Sequence, residues 1–261
     1  MGLNHSPKIS TDGLKLCLDA ANPRSYPGTG ANFTDLKTGK TVAALVNSPA
    51  FSAANGGEIQ LDGTDDYLDL SSFASSCWND LLGGAGTLIF YMKFAHQSID
   101  LYYHGWDNPD DSSSSGRAMG WIITYRRGLW RFGGLTFNSP ANTTDLSDYG
   151  ILDDEWMHWV FTGDGSSNAG IYINGEKILT NTSIFSVIPD TYSQTQIDMF
   201  VMGRAVNVGQ TGMHPNYTYT GPVVDTFADN PHSYGRIAAY DRHFSDAEVL
   251  EDYIATKKRF E

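Results

Sequence analysis

The sequence predicts an all-β fold, an antiparallel two-sheet jelly-roll sandwich with one short C-terminal helix. Three observations predict it. The stretch Glu155–Leu179 begins with an aromatic and β-branched segment, passes through a Gly-rich connection, and ends in apolar residues at alternate positions. Within it, Asn174-Gly175 accepts the positive φ angles that a type I′ hairpin turn requires. Thr87–Phe94 also alternates, and short strand-like segments divided by turn signals recur along the chain, as in antiparallel β proteins.

Other strands are predicted where apolar residues alternate between turn signals. In the segment Leu14–Asp19, we expect Leu14, Leu16 and Leu18 to face the core, and we expect Cys17 to point the other way. The remaining predicted strands are Glu58–Asp62, Tyr67–Leu70, Ile99–His104, Met119–Tyr125, Leu129–Phe132, Ile197–Gly203 and Gly235–Asp241.

One helix is predicted, at the end of the sequence. Ser245-Asp246-Ala247-Glu248 is a capping box, in which the Ser hydroxyl and the Glu carboxylate each accept a hydrogen bond from a free backbone N–H group. Phe244 and Val249 flank this box as a hydrophobic staple. We expect this helix to serve packing and not ligand binding. Its apolar stripe is predicted to consist of Val249, Leu250, Tyr253 and Ile254.

Composition limits the classes of partner. The 261-residue chain has a formal net charge of −13, which repels phosphate backbones, so no nucleic acid is expected as a partner. No apolar run reaches membrane-spanning length, and no secretion signal is evident. The two cysteines, Cys17 and Cys77, are too few for a disulfide framework, which favours free thiols and a reducing cytoplasm. Residues 1–11 are predicted to be an N-terminal arm, and residues 12–261 a single domain.

A calcium site is one candidate function of the segment Asp62-Gly63-Thr64-Asp65-Asp66. Asp62, Asp65 and Asp66 place hard oxygen ligands on a tight turn, and Ca²⁺ takes six to eight oxygen ligands. The alternative is an Asp-rich turn in which the carboxylates accept hydrogen bonds from backbone N–H groups. No cofactor is required by either interpretation, and calcium is the ion that the turn suggests.

Carbohydrate binding is the second candidate function, because sugars stack on exposed aromatic rings while polar groups bind their hydroxyls. The alternative is that these aromatic residues are core residues or subunit contacts, and this is the favoured interpretation for Trp130 and Trp156. A further cluster comprises Tyr125, Arg126, Arg127, Trp130 and Arg131. The candidate carbohydrate-binding residues are Tyr102, Tyr103, His104, Trp106, Asp107, His214, Asn216, Tyr217 and Tyr219.

Catalysis is not expected. A glycosidase needs two carboxyl groups at a defined separation, and a strand supplies them economically as a run such as Glu-x-Asp-x-x-Glu. Glu58, Gln60 and Asp62 share one predicted face, but the amide of Gln60 interrupts the set. The sequence also contains neither a Gly-x-Ser-x-Gly nucleophile elbow nor paired Cys/His spacing typical of zinc sites.

Several motifs, taken in order, carry a family resemblance. They are Asp12–Ala20, Asn22–Gly28, Phe51–Leu70, Trp156–Thr162, Ile171–Gly175, Gly203-Arg204, Gly235–Ile237 and Tyr240–Glu248. Together they resemble the laminin-G-like (concanavalin A-like lectin/glucanase) domains of bacteriophage virion proteins. The sequence departs from that pattern at Phe33, where many members have Trp, and at Lys37–Lys40, which replaces a Gly/Asn-rich segment. His96–Gly150 and Ala205–Tyr234 are longer than a minimal member needs.

The resemblance implies a non-enzymatic protein of the virion surface, such as a head decoration, a fibre or a tail-associated adhesin, assembled in the host cytoplasm. Its expected partners are other virion proteins, further copies of itself and a glycan of the host surface, without insertion into a membrane. The alternative from another class is a secreted polysaccharide-active glycoside hydrolase or its carbohydrate-binding module. A third alternative is an interaction domain whose aromatic loops make subunit contacts and bind no ligand.

Overall fold

The computed structural model describes residues 8–62, 64–70, 73, 85–94, 154–164, 168–180 and 232–261, the side chains of residues 94, 169, 179 and 180 excepted. For the short strands between these ranges it describes the backbone alone. Within these parts of the chain the fold is the predicted all-β sandwich with a C-terminal α-helix. No helix among them is long and apolar enough to cross a membrane.

The large sheet is antiparallel. Its strands are β1 (Leu14–Asp19), β4 (Ala50–Ser52), β5 (Glu58–Leu61), β7 (Gly86–Phe94), β14 (Met157–Gly163), β15 (Ala169–Ile173), β16 (Glu176–Thr180) and β18 (His232–Tyr240). They follow the order β16-β15-β14-β7-β18-β5-β4, and β1 pairs with the second half of β18. The predicted hairpin at Asn174-Gly175 is confirmed, since both residues have positive φ between β15 and β16.

Two smaller sheets complete the described strands. The six-stranded sheet contains β2 (Asn32–Thr34), β3 (Thr41–Val46), β6 (Tyr67–Asp69), β9 (His104–Asp107), β10 (Ala118–Met119) and β17 (Met199–Met202), in the order β10-β9-β17-β6-β3-β2. The four-stranded sheet contains β8 (Leu101–Tyr102), β11 (Trp121–Arg126), β12 (Leu129–Gly134) and β13 (Thr144–Asp145), in the order β13-β12-β11-β8. β2, β3, β4 and β13, which are short or lack clear alternation, were not predicted from the sequence, and β9 and β10 overlap predicted strands by one residue each.

The core lies on one face of the large sheet and is continuous across its central strands. Phe90 is aligned with Trp159 on one side and with Ile237 on the other, so the three side chains share a face. All three are at most 1% exposed. Leu45 and Leu68, which are neighbours in the six-stranded sheet, are also buried. This face-to-face burial of alternate apolar residues is what holds a two-sheet sandwich together.

The opposite face of the large sheet is covered by the helix α1 (Asp246–Thr256). Ser245 forms the predicted capping box with Glu248, and Phe244 and Val249 lie in one buried cluster with Ile89 and Val160. The prediction of a packing helix is therefore confirmed in its main features. A short 3₁₀ turn, Lys257–Arg259, extends it.

The predicted directions of three side chains are wrong. Leu14 does not share a face with Leu16, because a bulge in β1 shifts the register between them, and Leu14 packs against the helix-side cluster instead. Leu250 and Ile254 are 45% and 43% exposed. The helix turns Val249 and the charged Asp252 toward the sheet in their place, because a cationic partner for Asp252 lies on β18.

Candidate functional site

The described part of the chain contains an open cleft where β5 leaves the large sheet and the chain crosses to β6 in the six-stranded sheet. This rim cleft has a volume of about 470 Å³. Its lining residues are Asn47, Ser48, Ala50, Gln60, Leu61, Asp62, Asp66, Lys93, Asp154, His232 and Ser233. Loops and strand ends at the rim of a rigid sandwich are common positions for binding sites.

Strand pairing places three polar side chains in a row across the floor of the rim cleft. Ser233 on β18 is aligned with Gln60 on β5 and with Lys93 on β7, and directly opposed residues of neighbouring strands point to the same face. An amide, a hydroxyl and an ammonium group are thereby presented side by side. Such a set can donate and accept hydrogen bonds to a polyhydroxylated ligand.

The predicted calcium ligands do come together. Oxygen atoms of Asp62, Asp65 and Asp66 lie within 4.8 Å of one another. The Asp62 carboxylate accepts hydrogen bonds from the backbone N–H groups of Thr64 (2.8 Å) and Asp65 (3.4 Å), as the alternative interpretation expects. The Asn47 side-chain amide donates to the carbonyl oxygen of Asp65 (2.7 Å) and ties this turn to the β3–β4 connection. The geometry therefore suits both a structural Asp turn and a cation site.

Asp66 is the buried member of this cluster, with 7% of its surface exposed. Burial, and then the neighbouring charges of Asp62 and Asp65, raise the pKa of the Asp66 carboxyl above its usual value, although a hydrogen bond from the Asp62 backbone opposes the change. A nearby cation would relieve these unfavourable interactions, because opposite charge favours the ionised carboxylate.

Lys93 is the lysine of the cleft lining. Its Nζ atom lies 3.7 Å from a carboxylate oxygen of Asp154 and 5.8 Å from the centre of the Trp156 ring. The indole of Trp156 also packs against Phe260. Trp156 is half-buried, so its predicted role as a core residue or subunit contact stays a prediction, and its ring borders the residues of the rim cleft.

The backbone is unusual around the rim cleft. Five non-glycine residues of the described chain have positive φ. Three of them line the cleft: Asn47 (65°), Ser48 (78°) and Asp154 (61°). Residues in this sparsely populated region persist where the surrounding structure holds them, and they are enriched at functional sites.

The predicted carbohydrate-binding residues are described only in part. Tyr102 lies in β8, and His104, Trp106 and Asp107 lie in β9, with their backbones alone described. The residues Tyr103, His214, Asn216, Tyr217 and Tyr219 lie outside the described residues, so their grouping into one site stays a prediction.

Strand register relates the start of β9 to the acidic turn. His104 is aligned with Met202 on β17, which is aligned with Leu68 on β6. Two strand spacings amount to roughly 10 Å, and Leu68 follows Asp66 by two residues. The beginning of β9 and the Asp62–Asp66 turn therefore lie at the same end of the six-stranded sheet. Trp106 lies further along β9, away from that end.

Sequence reasoning missed most of the rim cleft. Asn47, Lys93, Asp154 and His232 were not proposed as site residues, because they are scattered over nearly the whole chain and no spacing connects them. Gln60 was noted only as an interruption among acidic residues. The available signals were weak: a consecutive Asn47-Ser48 after an apolar segment, and an acidic turn before β14.

Several solved structures have a fold similar to that of this chain. The receptor-binding domain of botulinum neurotoxin C/D mosaic serotype is similar over 92% of this chain and 51% of that one, with 10% identity and a TM-score of 0.62. Trypanosoma rangeli sialidase in complex with sialic acid matches 96% of this chain and 34% of its own, with 13% identity and a TM-score of 0.61. The botulinum neurotoxin serotype D ligand-binding domain in complex with N-acetylneuraminic acid matches 93% of this chain and 50% of its own, with 11% identity and a TM-score of 0.60.

These likenesses establish the fold and nothing finer, because the identities are so low. The chain spans about half the length of the neurotoxin domains and about a third of the sialidase. No protein-family model matches the sequence, and no curated protein sequence matches it.

Proposed function

We propose that this chain is a non-enzymatic, lectin-like protein of a bacteriophage particle surface that binds a glycan of the host surface at the rim cleft. The observation that carries the proposal is the row Gln60–Ser233–Lys93 with the adjacent acidic turn, an open site lined by hydrogen-bonding groups. Similar folds solved with sialic acid and N-acetylneuraminic acid support carbohydrate as the ligand class. The motif resemblance supports a head decoration, a fibre or a tail-associated adhesin.

We also propose that the predicted aromatic residues extend the binding site beyond the rim cleft. β9 begins with His104 at the same end of the six-stranded sheet as the acidic turn, two strand spacings from Leu68, or roughly 10 Å. We propose that a glycan longer than one sugar unit extends from the rim cleft toward the start of β9. His214, Asn216, Tyr217 and Tyr219 are proposed as further contacts.

Glycan binding is tested with the full chain on an immobilised glycan array, followed by calorimetry on any sugar that binds. We expect Gln60→Ala and Trp106→Ala to weaken binding roughly tenfold each, as the loss of a hydrogen bond or an aromatic contact does. The matched control is Glu176→Gln, an exposed residue on β16 at the far edge of the large sheet. Unchanged affinity in Trp106→Ala would remove that residue from the site, and unchanged affinity in both would remove the proposed location.

Calcium at Asp62, Asp65 and Asp66 is proposed as an accessory ion. If it binds the folded state alone, a Ca²⁺ concentration of about 100 times Kd stabilises the protein by about 2.7 kcal/mol. We therefore expect a higher melting temperature in Ca²⁺ than in EDTA, and loss of this difference in Asp65→Asn. Mg²⁺ serves as the control for general screening of negative charge. Equal melting temperatures in Ca²⁺ and EDTA would reject the ion.

The virion setting is tested on purified particles. We expect the chain among their proteins by mass spectrometry, exposed to antibody on intact particles, and oligomeric by light scattering, since virion proteins commonly assemble with symmetry. Absence from purified particles would reject this part of the proposal and would leave glycan binding standing.

A second candidate function, glycoside hydrolysis, is favoured by one observation. Asp62 and Asp66 line the rim cleft with carboxylate oxygens within 4.8 Å, near the separation of about 5–5.5 Å between carboxyl groups in retaining enzymes. The raised pKa of Asp66 suits a general acid. Release of reducing ends from a bound glycan, abolished in Asp62→Asn and in Asp66→Asn but not in Glu176→Gln, would establish this function in place of simple binding.

A further inference from the structure

We propose that the rim cleft selects uncharged and amine-bearing sugars and rejects sugars that carry a carboxylate. This inference rests on the proposed glycan binding and specifies its ligand class. It runs against the sialic acid ligands of the similar folds, and it follows from which charges line this cleft and how they are already paired.

The acidic side chains of the cleft exceed its available cations. Asp62 and Asp66 line it, Asp65 adjoins them, and none of these three forms an ion pair with a described Lys, Arg or His. Lys93, the lysine of the lining, is paired with Asp154. The cleft therefore presents surplus negative charge to a ligand.

His232 does not change this balance. It is the other basic residue of the described lining, but it is only 3% exposed. Its ring packs edge-on against Tyr234, with ring centres 5.3 Å apart. A side chain so deeply buried offers little surface to a ligand in the cleft. Among the described lining residues, a sugar carboxylate would thus meet one lysine that is already paired with Asp154 and one imidazole that is buried.

A bound calcium ion would weaken the preference without giving the acidic turn a net positive charge. Its two positive charges would offset two of the three carboxylates of Asp62, Asp65 and Asp66, so the site would stay without surplus positive charge. In the ion-free cleft, a carboxylate ligand would lose its own hydration on entry and gain no opposite charge in exchange, which is unfavourable. An ammonium group would instead pair with the buried Asp66, a charge-assisted interaction.

The test uses two matched pairs of oligosaccharides with the full-length chain. Lactose is compared with 3′-sialyllactose, and fully deacetylated chitotetraose is compared with its N-acetylated form, each in EDTA and again in Ca²⁺. We expect the sialylated sugar to bind roughly tenfold more weakly than lactose, since like charges at an interface are strongly unfavourable. We expect the deacetylated sugar to bind tighter than the acetylated one, and its advantage to shrink with added salt.

Charge-removing variants locate the effect. Asp62→Asn combined with Asp66→Asn should reduce both preferences, whereas Glu176→Gln, which removes one negative charge far from the cleft, should keep them. The salt dependence of the unmodified chain needs no variant, so the inference stays testable if the double variant does not fold. Sialyllactose binding as tightly as lactose, or tighter, would overturn this inference and leave glycan binding intact. Failure to bind any glycan would instead overturn the proposed function on which it rests.

Discussion

Asp252 shows how much one side chain can decide. It lies on the inner side of α1, 2% exposed, and both of its oxygens accept hydrogen bonds from the Arg236 guanidinium (2.7 and 3.1 Å). His158 Nε2 donates to the same carboxylate (3.0 Å). Burial alone would raise the pKa of Asp252, but the charge of Arg236 and these hydrogen bonds hold that pKa well below its usual range. The three residues join α1 to β14 and β18.

Removal of that carboxylate should be costly. Asp252→Asn leaves the Arg236 guanidinium buried without its counter-charge, so we expect a loss of about 3–5 kcal/mol in the free energy of unfolding, the usual result of breaking a buried ion pair. Urea denaturation measures it. Glu251→Gln, the exposed neighbour on the same helix, should cost under about 0.5 kcal/mol, and equal losses in the two variants would contradict the role assigned to Asp252.

Gly57 is a second position where one atom matters. Its φ is 143°, and a Cβ atom there would lie 2.4 Å from the carbonyl oxygen of Ala20. Gly39 has a φ of 70° with no atom within 4 Å of its Cβ position, so it provides a matched control. We expect Gly39→Ala to cost about 1–2 kcal/mol for the left-handed conformation alone and Gly57→Ala to cost clearly more. Thermal unfolding of the two variants makes the comparison, and a smaller loss at Gly57 would show that the backbone yields there.

At the scale of elements, α1 is fixed at both ends. At its start, Arg242 Nη2 lies 2.7 Å from a Glu248 carboxylate oxygen, which supports the capping box. Beyond its end, Arg259 donates hydrogen bonds to the carbonyl oxygens of Asn55 (2.8 Å) and Gly57 (2.7 Å) and pairs with Asp19. The helix therefore ties the first strand, the β4–β5 connection and the C-terminus together.

These contacts predict acid sensitivity. Partial burial opposes the change, but hydrogen bonds from Arg242 and Ser245 lower the pKa of Glu248 to about 2, and the pKa of Asp252 is also lowered. Burial lowers the pKa of His158. In all three the unfolded chain takes up protons at a higher pH than the folded protein, so the stability they contribute is lost as pH falls.

The melting temperature should accordingly begin to fall below about pH 6.5, where unfolded His protonates, and fall more steeply below about pH 4, where unfolded Asp and Glu protonate. The pKa of Asp66 is raised in the folded protein, so its contribution to stability grows as pH falls, but it is a single group. Glu248→Gln should flatten the steep part of the curve, and Glu251→Gln should leave it unchanged. A melting temperature that stays constant from about pH 7 to about pH 3 would contradict this account.

At the scale of the whole molecule, net charge is the dominant long-range property. A formal charge of −13 causes self-repulsion that opposes the compact state. Exposed ion pairs such as Lys177–Asp246, at 3.2 Å, contribute only about 0–1 kcal/mol each. Salt that screens the self-repulsion should therefore raise the stability more than its screening of such ion pairs lowers it.

We therefore expect the melting temperature to rise by roughly 2–4 °C between about 10 mM and about 200 mM NaCl, as the Debye length falls from about 30 Å to under about 8 Å. The measurement is made in EDTA, so that calcium plays no part. A melting temperature that falls with NaCl would mean that favourable ion pairs outweigh the repulsion.

Local patterns in the sequence predicted a large part of the fold. Alternation correctly predicted a strand at Thr87–Phe94, and in β7 Phe90 faces the sandwich core while Ile89 faces the helix. The capping box predicted where α1 begins. The direction of Leu14 and the exposure of Leu250 could not be predicted, because a bulge in β1 and the position of Arg236 on a distant strand decided them.

The candidate site also has one part that the sequence predicted and one part that it could not. The Asp62–Asp66 turn is local, and the sequence predicted that its three carboxylates lie close together. The row Gln60–Ser233–Lys93 joins residues that are up to 173 positions apart in the chain, and only the pairing of β5, β18 and β7 brings them side by side.

By itself, the sequence determined the class of fold, the hairpins, the cap of α1 and the acidic turn, because these depend on contacts between near neighbours and on the periodicity of apolar residues. Tertiary structure alone decided the strand order, the burial of Asp252 and the shape and charge of the rim cleft. Those features depend on which distant strands are neighbours and in which register, and a shift of one residue would turn each side chain to the opposite face of its sheet.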